Sequence, residues 1–512
     1  MELPEEFCTL MRQQYGDDVA EALFEGLSQE PSVSIRLNPW KKTPQPLHFE
    51  TSQKLGGDGM MQPNGELCIM NCALSPVAWC PDAYYLSERP NFTADPLLHA
   101  GVYYVQEAGS MYLAEMLRKY IQPPQPPRGS KIAGAAELTS PCVQPAYSPS
   151  GAGGAVAGKP LVALDLCAAP GGKSTLLRSL LPEGSLLVSN EPMPKRAQVL
   201  AENIIKWGHP ACVVTRNYPA DFSPFVEQFD LIVTDVPCSG EGMFRKDEGA
   251  IRDWSLENVD TCWRRQRSIL SDIWPCLKPG GLLIYSTCTF NRFEDEDNVA
   301  WIAKELGAEV LEDRHFLPGR DKGEGFYIAA LRKTPQTKTQ TPHPPVGGDI
   351  PRELMQNASL KNGVRPHFAP NPCTCSQPSS VMSPPKGGWG VLELKDKVVL
   401  YPAAHAALMQ KMERSLHCLV SGVVMKEKGV KDWVPSHQYA MSLAYERGCY
   451  PEYELSREEA IAYLRREALR IDAPKGYVLV TYQGVPLGFV KSVGNRANNL
   501  YPQEWRIRST YV

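Results

Sequence analysis

The chain has 512 residues, of which 43% are hydrophobic and 21% are charged, and its formal net charge at pH 7 is −4. This length allows about three domains, and the mild acidity argues against general coating of nucleic acid while leaving room for local basic patches. No run of about 18 apolar residues is present, and the acidic N-terminal residues lack a secretory pattern, so we predict a cytoplasmic protein without a membrane span. The 15 cysteines have no regular spacing, which predicts reduced thiols rather than a disulfide framework.

The first part of the chain, residues 1–120, is predicted to be a small α/β domain. Asp17 to Leu27 has the spacing of a helix, and residues 32–38 alternate as a strand with Arg36 and Asn38 on its polar side. Residues 121–160 are rich in Pro, Gly, Ser and Ala and are predicted to be a flexible insert.

Residues 161–334 are predicted to form an α/β domain, because short apolar strands alternate with amphipathic helices. The strands are predicted over 161–164, 185–191, 211–215, 229–235 and 282–286, and two of the helices over 194–207 and 263–277. This alternation predicts a parallel sheet covered by helices on both faces.

A glycine-rich turn, Pro170-Gly171-Gly172-Lys173-Ser174, joins the first of these strands to a helical pattern. The glycines allow close approach of the backbone to a ligand, and the positive end of the helix suits an anionic group such as a carboxylate. A phosphate-binding P-loop is excluded, because Cys167 stands where that motif requires glycine. Glu191 ends the second strand, at the spacing at which α/β sites hold ribose hydroxyls with a carboxylate.

Two cysteines follow neighbouring strands of the same domain. Cys238 lies in Asp235-Val-Pro-Cys after the fourth strand, and Cys288 follows the fifth. Ligands bind beyond the carboxyl ends of parallel strands, so both thiols are expected at the edge that carries the glycine turn.

Thiols at such an edge suit methyl transfer to a pyrimidine ring. A thiolate that adds to carbon 6 makes carbon 5 nucleophilic toward a sulfonium methyl donor. Asp235 is placed to offset the charge that develops at the ring nitrogen, and a second cysteine or another base must remove the carbon 5 proton. The sequence positions alone do not assign which cysteine attacks.

The second low-complexity segment, residues 335–390, is predicted to be a linker. It contains Cys373 and Cys375, but no second Cys/His pair at zinc spacing accompanies them, so we predict no metal site.

The C-terminal segment, residues 391–512, regains helix and strand patterns. Ser456 and Glu459 form a capping box before a helix predicted over 460–469, and strands over 476–482 and 485–490 flank a hairpin turn at Gln483-Gly484. A basic and polar tail follows, which is either a solvated face or part of a β module that contacts RNA. Its residues are Lys491, Arg496, Asn498, Asn499, Trp505, Arg506 and Arg508.

Three motifs together resemble the Nol/Nop/Sun (Fmu) family of RNA cytosine-5 methyltransferases. They are Cys167-Ala-Ala-Pro-Gly-Gly-Lys173, Asp235-Val-Pro-Cys238 and Ser286-Thr-Cys288. Shorter segments around 79–81, 95–107 and 498–506 resemble its bacterial RsmF-like branch. The resemblance covers nearly the whole chain apart from the two low-complexity segments. It implies a Rossmann-like class I methyltransferase core, with the small N-terminal α/β domain and a C-terminal PUA-like α+β module.

The resemblance also implies site residues and partners. S-adenosylmethionine would be bound by Cys167, Ala168, Ala169, Pro170, Gly171, Gly172, Lys173, Glu191, Asn217 and Asp235. Cys288 would be the nucleophile, and Cys238 would aid product release. The implied substrate is 16S ribosomal RNA, with the small ribosomal subunit as its context, and we expect a monomer without a bound metal.

Three alternatives are kept beside this interpretation: a tRNA cytosine-5 methyltransferase, an amine or amide methyltransferase, and a non-catalytic RNA-binding factor in ribosome assembly. An amine or amide methyltransferase places an aromatic residue where Cys238 stands and leaves the second cysteine unexplained. The basic stretch Arg264-Arg265-Gln266-Arg267 would serve an assembly factor, but the intact cofactor motif and both cysteines argue against a role without catalysis.

Overall fold

A computed structural model describes residues 2–43, 74–121, 158–335, 388–430 and 432–508. Most of both low-complexity segments, including Cys373 and Cys375, lies outside the described residues. The helices are α1 Glu5–Tyr15, α2 Asp17–Ser28, α3 Pro96–His99, α4 Leu113–Tyr120, α5 Gly172–Leu180, α6 Pro194–Trp207, α7 Glu248–Asp253, α8 Leu256–Ile273, α9 Glu296–Trp301, α10 Ala406–Ser415, α11 His437–Met441 and α12 Arg457–Leu464. The strands are β1 Val33–Leu37, β2 Leu74–Pro76, β3 Ala83–Leu86, β4 Tyr103–Val105, β5 Val162–Asp165, β6 Leu186–Asn190, β7 Cys212–Thr215, β8 Phe229–Asp235, β9 Leu277–Thr287, β10 Ala308–Phe316, β11 Phe326–Lys333, β12 Trp389–Glu393, β13 Lys397–Pro402, β14 Cys418–Ser421, β15 Val423–Lys428, β16 Trp433–Pro435, β17 Glu452–Glu454, β18 Gly476–Tyr482, β19 Val485–Ser492 and β20 Ala497–Asn499.

The central sheet of the described chain has the strand order β10-β11-β9-β8-β5-β6-β7-β14. The five predicted strands form its parallel part, from β9 to β7. Three strands that the sequence analysis did not predict, β10, β11 and β14, extend this parallel sheet at its two edges in antiparallel orientation. The helix predicted over 263–277 is misplaced. It begins at Leu256, where the Ser255 side chain caps it, and ends at Ile273.

The edge strand β14 comes from the C-terminal segment rather than from residues 161–334. It pairs with β7, with Cys418 opposite Thr215 and Ser421 opposite Val213. The preceding helix α10 buries Met409 and Met412 in the same apolar cluster as the central strands. Part of the C-terminal segment therefore completes the central sheet.

The N-terminal unit contains a four-stranded sheet of order β2-β3-β1-β4. Placing Arg36 and Asn38 on a polar face was wrong, because both side chains are buried. Arg36 donates hydrogen bonds to Gln106 Oε1 at 3.0 Å and to Thr175 Oγ1 at 2.6 Å, and its guanidinium lies over the Trp207 ring. A buried cation needs such partners, and here they connect the N-terminal sheet to α5 and α6.

The C-terminal part contains two further sheets, β12-β13-β15-β16 and β17-β18-β19-β20. The capping box at Ser456 and Glu459 is present, although α12 ends at Leu464 rather than at residue 469. Gln483 and Gly484 both have positive φ in the β18–β19 hairpin, as the predicted turn requires. One apolar cluster joins Ile35 of β1 to residues of α12 and β18, so the C-terminal sheet packs on the N-terminal unit. Within the described ranges, no helix has both the length and the apolar character to span a membrane.

Candidate active site

The glycine turn follows β5 and begins α5. Gly171 has φ +118°, in the left-handed region, and a Cβ on Gly172 would lie 3.3 Å from the Tyr104 ring. These positions therefore favour glycine, as the sequence predicted. No side chain caps α5, so the turn presents the positive end of a helix to any anionic group at the sheet edge.

Behind this turn lies Asp165, the last residue of β5, whose side chain is fully buried. Its Oδ2 accepts a hydrogen bond from Ser174 Oγ at 2.6 Å, whereas Oδ1 has no hydrogen-bond partner. Burial raises the pKa of Asp165 to about 7, against the opposing effects of Ser174 and Lys173. Burial, with Asp165 and two other nearby carboxylates, also raises the pKa of the Cys167 thiol, which is therefore neutral.

Glu191 follows β6 at the same edge, and only 2% of its surface is exposed. Its Oε1 accepts the backbone N–H of Met193 at 2.9 Å, and its Oε2 lies 3.4 Å from Arg196 Nη1. The carboxylate is therefore desolvated and oriented by the protein itself, as expected of a group that receives sugar hydroxyls.

Asn217, which the resemblance assigned to the cofactor, lies at the end of β7. Its side-chain amide donates to Asp221 Oδ2 at 3.1 Å, and its Oδ1 accepts the backbone N–H of His417 at 2.9 Å. Asn190 accepts the Asn217 N–H and donates to the Leu166 carbonyl, which ties the ends of β5, β6 and β7 together. The sequence reasoning missed Asn190, although a polar residue that closes an apolar strand is a usable signal.

A half-buried ion pair links the glycine turn to the Asp-x-Pro-Cys turn. Lys173 Nζ lies 2.9 Å from Asp235 Oδ2 and 4.7 Å from the centre of the Phe326 ring. Burial favours the neutral amine, but Asp235 outweighs it and raises the pKa of Lys173. The other oxygen, Asp235 Oδ1, accepts the Ser286 hydroxyl at 2.9 Å.

The two cysteines meet, as predicted from their positions after neighbouring strands. Their Sγ atoms are 3.1 Å apart, and both residues are half-buried free thiols. The Cys288 carbonyl also accepts the Gly242 N–H at 2.8 Å, which holds the two loops together. The hydrogen bond to Cys288, followed by burial, raises the pKa of Cys238 well above its usual range, so Cys238 is a thiol.

A buried polar network supports the Pro-Cys turn, and the sequence analysis did not identify it. Glu294 accepts the backbone N–H of Ser239 at 3.1 Å, the Gln266 amide at 2.7 Å and the Asn291 amide at 2.8 Å. Gln266 also donates to the Pro237 carbonyl at 3.0 Å. Burial, with the nearby Glu241, raises the pKa of Glu294 to about 7. The network holds the backbone on both sides of Cys238.

Three parts of the chain match models of known protein families. Residues 159–332 match the family described as 16S rRNA methyltransferase RsmB/F. Residues 450–507 match the methyltransferase RsmF PUA domain, and residues 60–108 match the N-terminal domain of 16S rRNA methyltransferase RsmF. Three models of RsmB/F or RsmF methyltransferases thus match separate parts of the chain, in agreement with the resemblance of its motifs. The PUA match begins after β14, so the strand that completes the central sheet lies outside it.

Similar proteins align with this chain over nearly its whole length. The ribosomal RNA small subunit methyltransferase F of Cronobacter sakazakii is 29% identical, and the alignment covers 98% of this chain and 96% of that protein. The protein of the same name from Shewanella baltica is 26% identical, with 96% of each chain covered. The crystal structure of PH0851 is 20% identical with a TM-score of 0.50, covering 65% of this chain and 66% of that chain, and it supports the fold.

These comparisons confirm several predictions from the sequence. The family, the Rossmann-like α/β fold with a PUA domain, and the class of RNA methyltransferase are confirmed.

Proposed function

We propose that the protein transfers a methyl group from S-adenosylmethionine to carbon 5 of a cytidine in 16S ribosomal RNA. The observation that carries this proposal is the pair of free thiols, with Sγ atoms 3.1 Å apart, beside the Lys173–Asp235 ion pair. Ribosomal RNA as the substrate is supported by the names of the relatives and by the PUA domain.

The residues at the carboxyl edge fit S-adenosylmethionine. The uncapped N-terminus of α5 suits the carboxylate of its methionine part, and the buried Glu191 suits its ribose hydroxyls. Oδ1 of Asp165, directly behind the glycine turn, has no hydrogen-bond partner among the described residues and is available to a ligand there. When bound, S-adenosylmethionine supplies an electrophilic methyl group and leaves as S-adenosylhomocysteine.

Cys288 begins the reaction by attack on the base. Its thiolate forms a bond to carbon 6 of the cytosine, and the displaced ring electrons make carbon 5 nucleophilic. Negative charge that develops toward the ring nitrogen is offset by the positive charge of Lys173. Asp235, which also accepts the Ser286 hydroxyl, holds the Lys173 ammonium in position. Carbon 5 then forms its bond to the methyl group.

Cys238 completes the reaction. At rest its raised pKa keeps it a thiol, with its Sγ 3.1 Å from the Cys288 Sγ. After methyl transfer Cys238 passes its own proton to solvent and accepts the proton from carbon 5. The carbon 6–sulfur bond then breaks, which restores the aromatic ring and returns Cys288 as a thiolate.

The test measures tritium transfer from labelled S-adenosylmethionine to naked 16S ribosomal RNA, intact small subunits and tRNA, with mapping of the modified base. Cys288→Ala is expected to abolish transfer and to form no covalent complex. Cys238→Ala is expected to accumulate a protein–RNA adduct that survives denaturing gels, because attack and methylation remain possible while elimination is impaired. The exposed Cys449→Ala serves as the matched control and should behave as wild type. An adduct in Cys288→Ala would assign the attack to Cys238, and no transfer to any RNA by the wild type would refute the function.

A further inference from the structure

Four elements converge behind Cys288: the end of β9, the turn before α9, β10, and the C-terminus of α1. They bring together Thr287 and Thr289, which flank Cys288, with Asp295, His315 and Tyr15. Both threonines and Asp295 are fully buried, and His315 is 13% exposed. Neither His315 nor Asp295 has a part in the mechanism above.

Asp295 and His315 hold the backbone on both sides of Cys288. Asp295 Oδ1 accepts the Thr287 hydroxyl at 2.5 Å. Its Oδ2 lies 3.4 Å from His315 Nε2, and the same nitrogen lies 3.3 Å from the Thr289 carbonyl oxygen. A change at His315 would therefore reach the nucleophile through both neighbouring residues.

The other ring nitrogen of His315 is held as well. Nδ1 lies 3.5 Å from Glu296 Oε1 and 3.2 Å from the Tyr15 hydroxyl, which donates to the Phe290 carbonyl at 2.5 Å. The rings of Tyr15 and Tyr327 contact the imidazole edge-on and fix its plane.

Asp295, Glu296 and His315 could together offer ligands to a cation, with ligand atoms within 4.8 Å of one another. Each carboxyl group faces a different ring nitrogen, however, so the ring is held from both sides. The titratable and charged groups around the ring are Asp295 and Glu296 from the α9 turn, Tyr15 from α1 and Tyr327 from β11.

We infer that His315 is a positioning residue: its ring, set between Asp295 and Glu296, fixes residues 287–289 so that the Cys288 thiol faces the base. The inference rests on the proposed function. Loss of the ring removes the contacts of Nε2 with Asp295 and with the Thr289 carbonyl, which loosens the segment that carries the nucleophile. A misplacement of about 1 Å at a reacting group costs about 100-fold in rate.

The test compares His315→Gln with wild type and with the control variant His405→Gln. His405 lies in the C-terminal part of the chain, and its Nε2 is 2.6 Å from the Gly184 carbonyl oxygen. We expect kcat of His315→Gln to fall by about 10- to 100-fold, with KM for RNA and for S-adenosylmethionine within about twofold of wild type.

A second readout needs no turnover. The alkylation rate of Cys288 by iodoacetamide, mapped by mass spectrometry, is expected to change at least about threefold in His315→Gln and to stay unchanged in His405→Gln. A loss confined to KM, or an unchanged alkylation rate, would overturn the inference. Absence of methyl transfer by the wild type, combined with an altered alkylation rate in His315→Gln, would instead refute the proposed function and keep the positioning role.

Discussion

Replacement of Glu191 tests the proposed cofactor site most directly. Glu191 is only 2% exposed, and its carboxylate is already held by the Met193 N–H and by Arg196. The carboxylate therefore loses its water when the protein folds, not when the cofactor binds. A hydrogen bond from a ribose hydroxyl to this carboxylate is worth about 1.5–3 kcal/mol. Glu191→Ala should therefore weaken binding of S-adenosylhomocysteine by about 10- to 150-fold.

Isothermal titration calorimetry with S-adenosylhomocysteine measures this loss, and Glu191→Gln is the matched variant. The amide oxygen of glutamine keeps an acceptor for Met193 but has no charge, so its loss should be smaller, about tenfold. Thermal unfolding without ligand reports whether either variant disturbs the fold. An unchanged Kd in a stably folded Glu191→Ala would refute the ribose contact.

Three further predictions concern stability and RNA binding. The folded Asp165 carboxyl keeps its proton up to about pH 7, whereas the unfolded one loses it near pH 3.8, so stability is lost as pH rises through this window. Asp165→Asn cannot ionise and avoids this loss. In urea unfolding, the free energy of unfolding of the variant should rise by about 3 kcal/mol relative to that of wild type between pH 5 and pH 8. A difference between the two proteins that does not change with pH would contradict the raised pKa. Arg506 and Arg508 are two exposed arginines of the C-terminal tail. Replacing both with Gln should weaken RNA binding and reduce the slope of log K against log salt concentration by about 1.4. The affinity for S-adenosylhomocysteine should stay unchanged. A chain that ends at residue 390 lacks β14 and α10, which complete the central sheet and its apolar cluster. Calorimetry should show its melting temperature about 10 °C or more below that of the full chain. Equal melting temperatures would mean that β14 is dispensable.

Local sequence patterns determined the parallel part of the sheet and the edge that carries the site. An apolar strand followed by glycines requires a tight turn, and residues just after parallel strands must share one edge. Cys238 and Cys288, 50 residues apart, could therefore be expected to meet, and their Sγ atoms do lie 3.1 Å apart. The capping box at Ser456 and the hairpin at Gln483 were predictable for the same reason, since each depends only on neighbouring residues.

Errors in the sequence analysis arose where a residue's environment depends on a distant element. The alternation of β1 placed Arg36 on a polar face, yet α5 and α6 cover that face and supply its partners. A helix end was misplaced at residue 277 because β9 begins there, and pairing with β8 outweighs the local preference. The two antiparallel strands after α9 were missed, although they cover one edge of the sheet.

The tertiary structure alone decided which side chains support the reactive ones. Tyr15 and His315 are 300 residues apart in the chain, and the Asn217 side chain accepts a backbone N–H 200 residues away. No periodicity or spacing relates such pairs, because they meet only when whole elements pack. The same holds for β14. Its four residues could pair with any free strand edge, and the packing of α10 determines that they pair with β7. The sequence thus determined the chemistry available at the sheet edge, and long-range packing decided the groups that hold it in place.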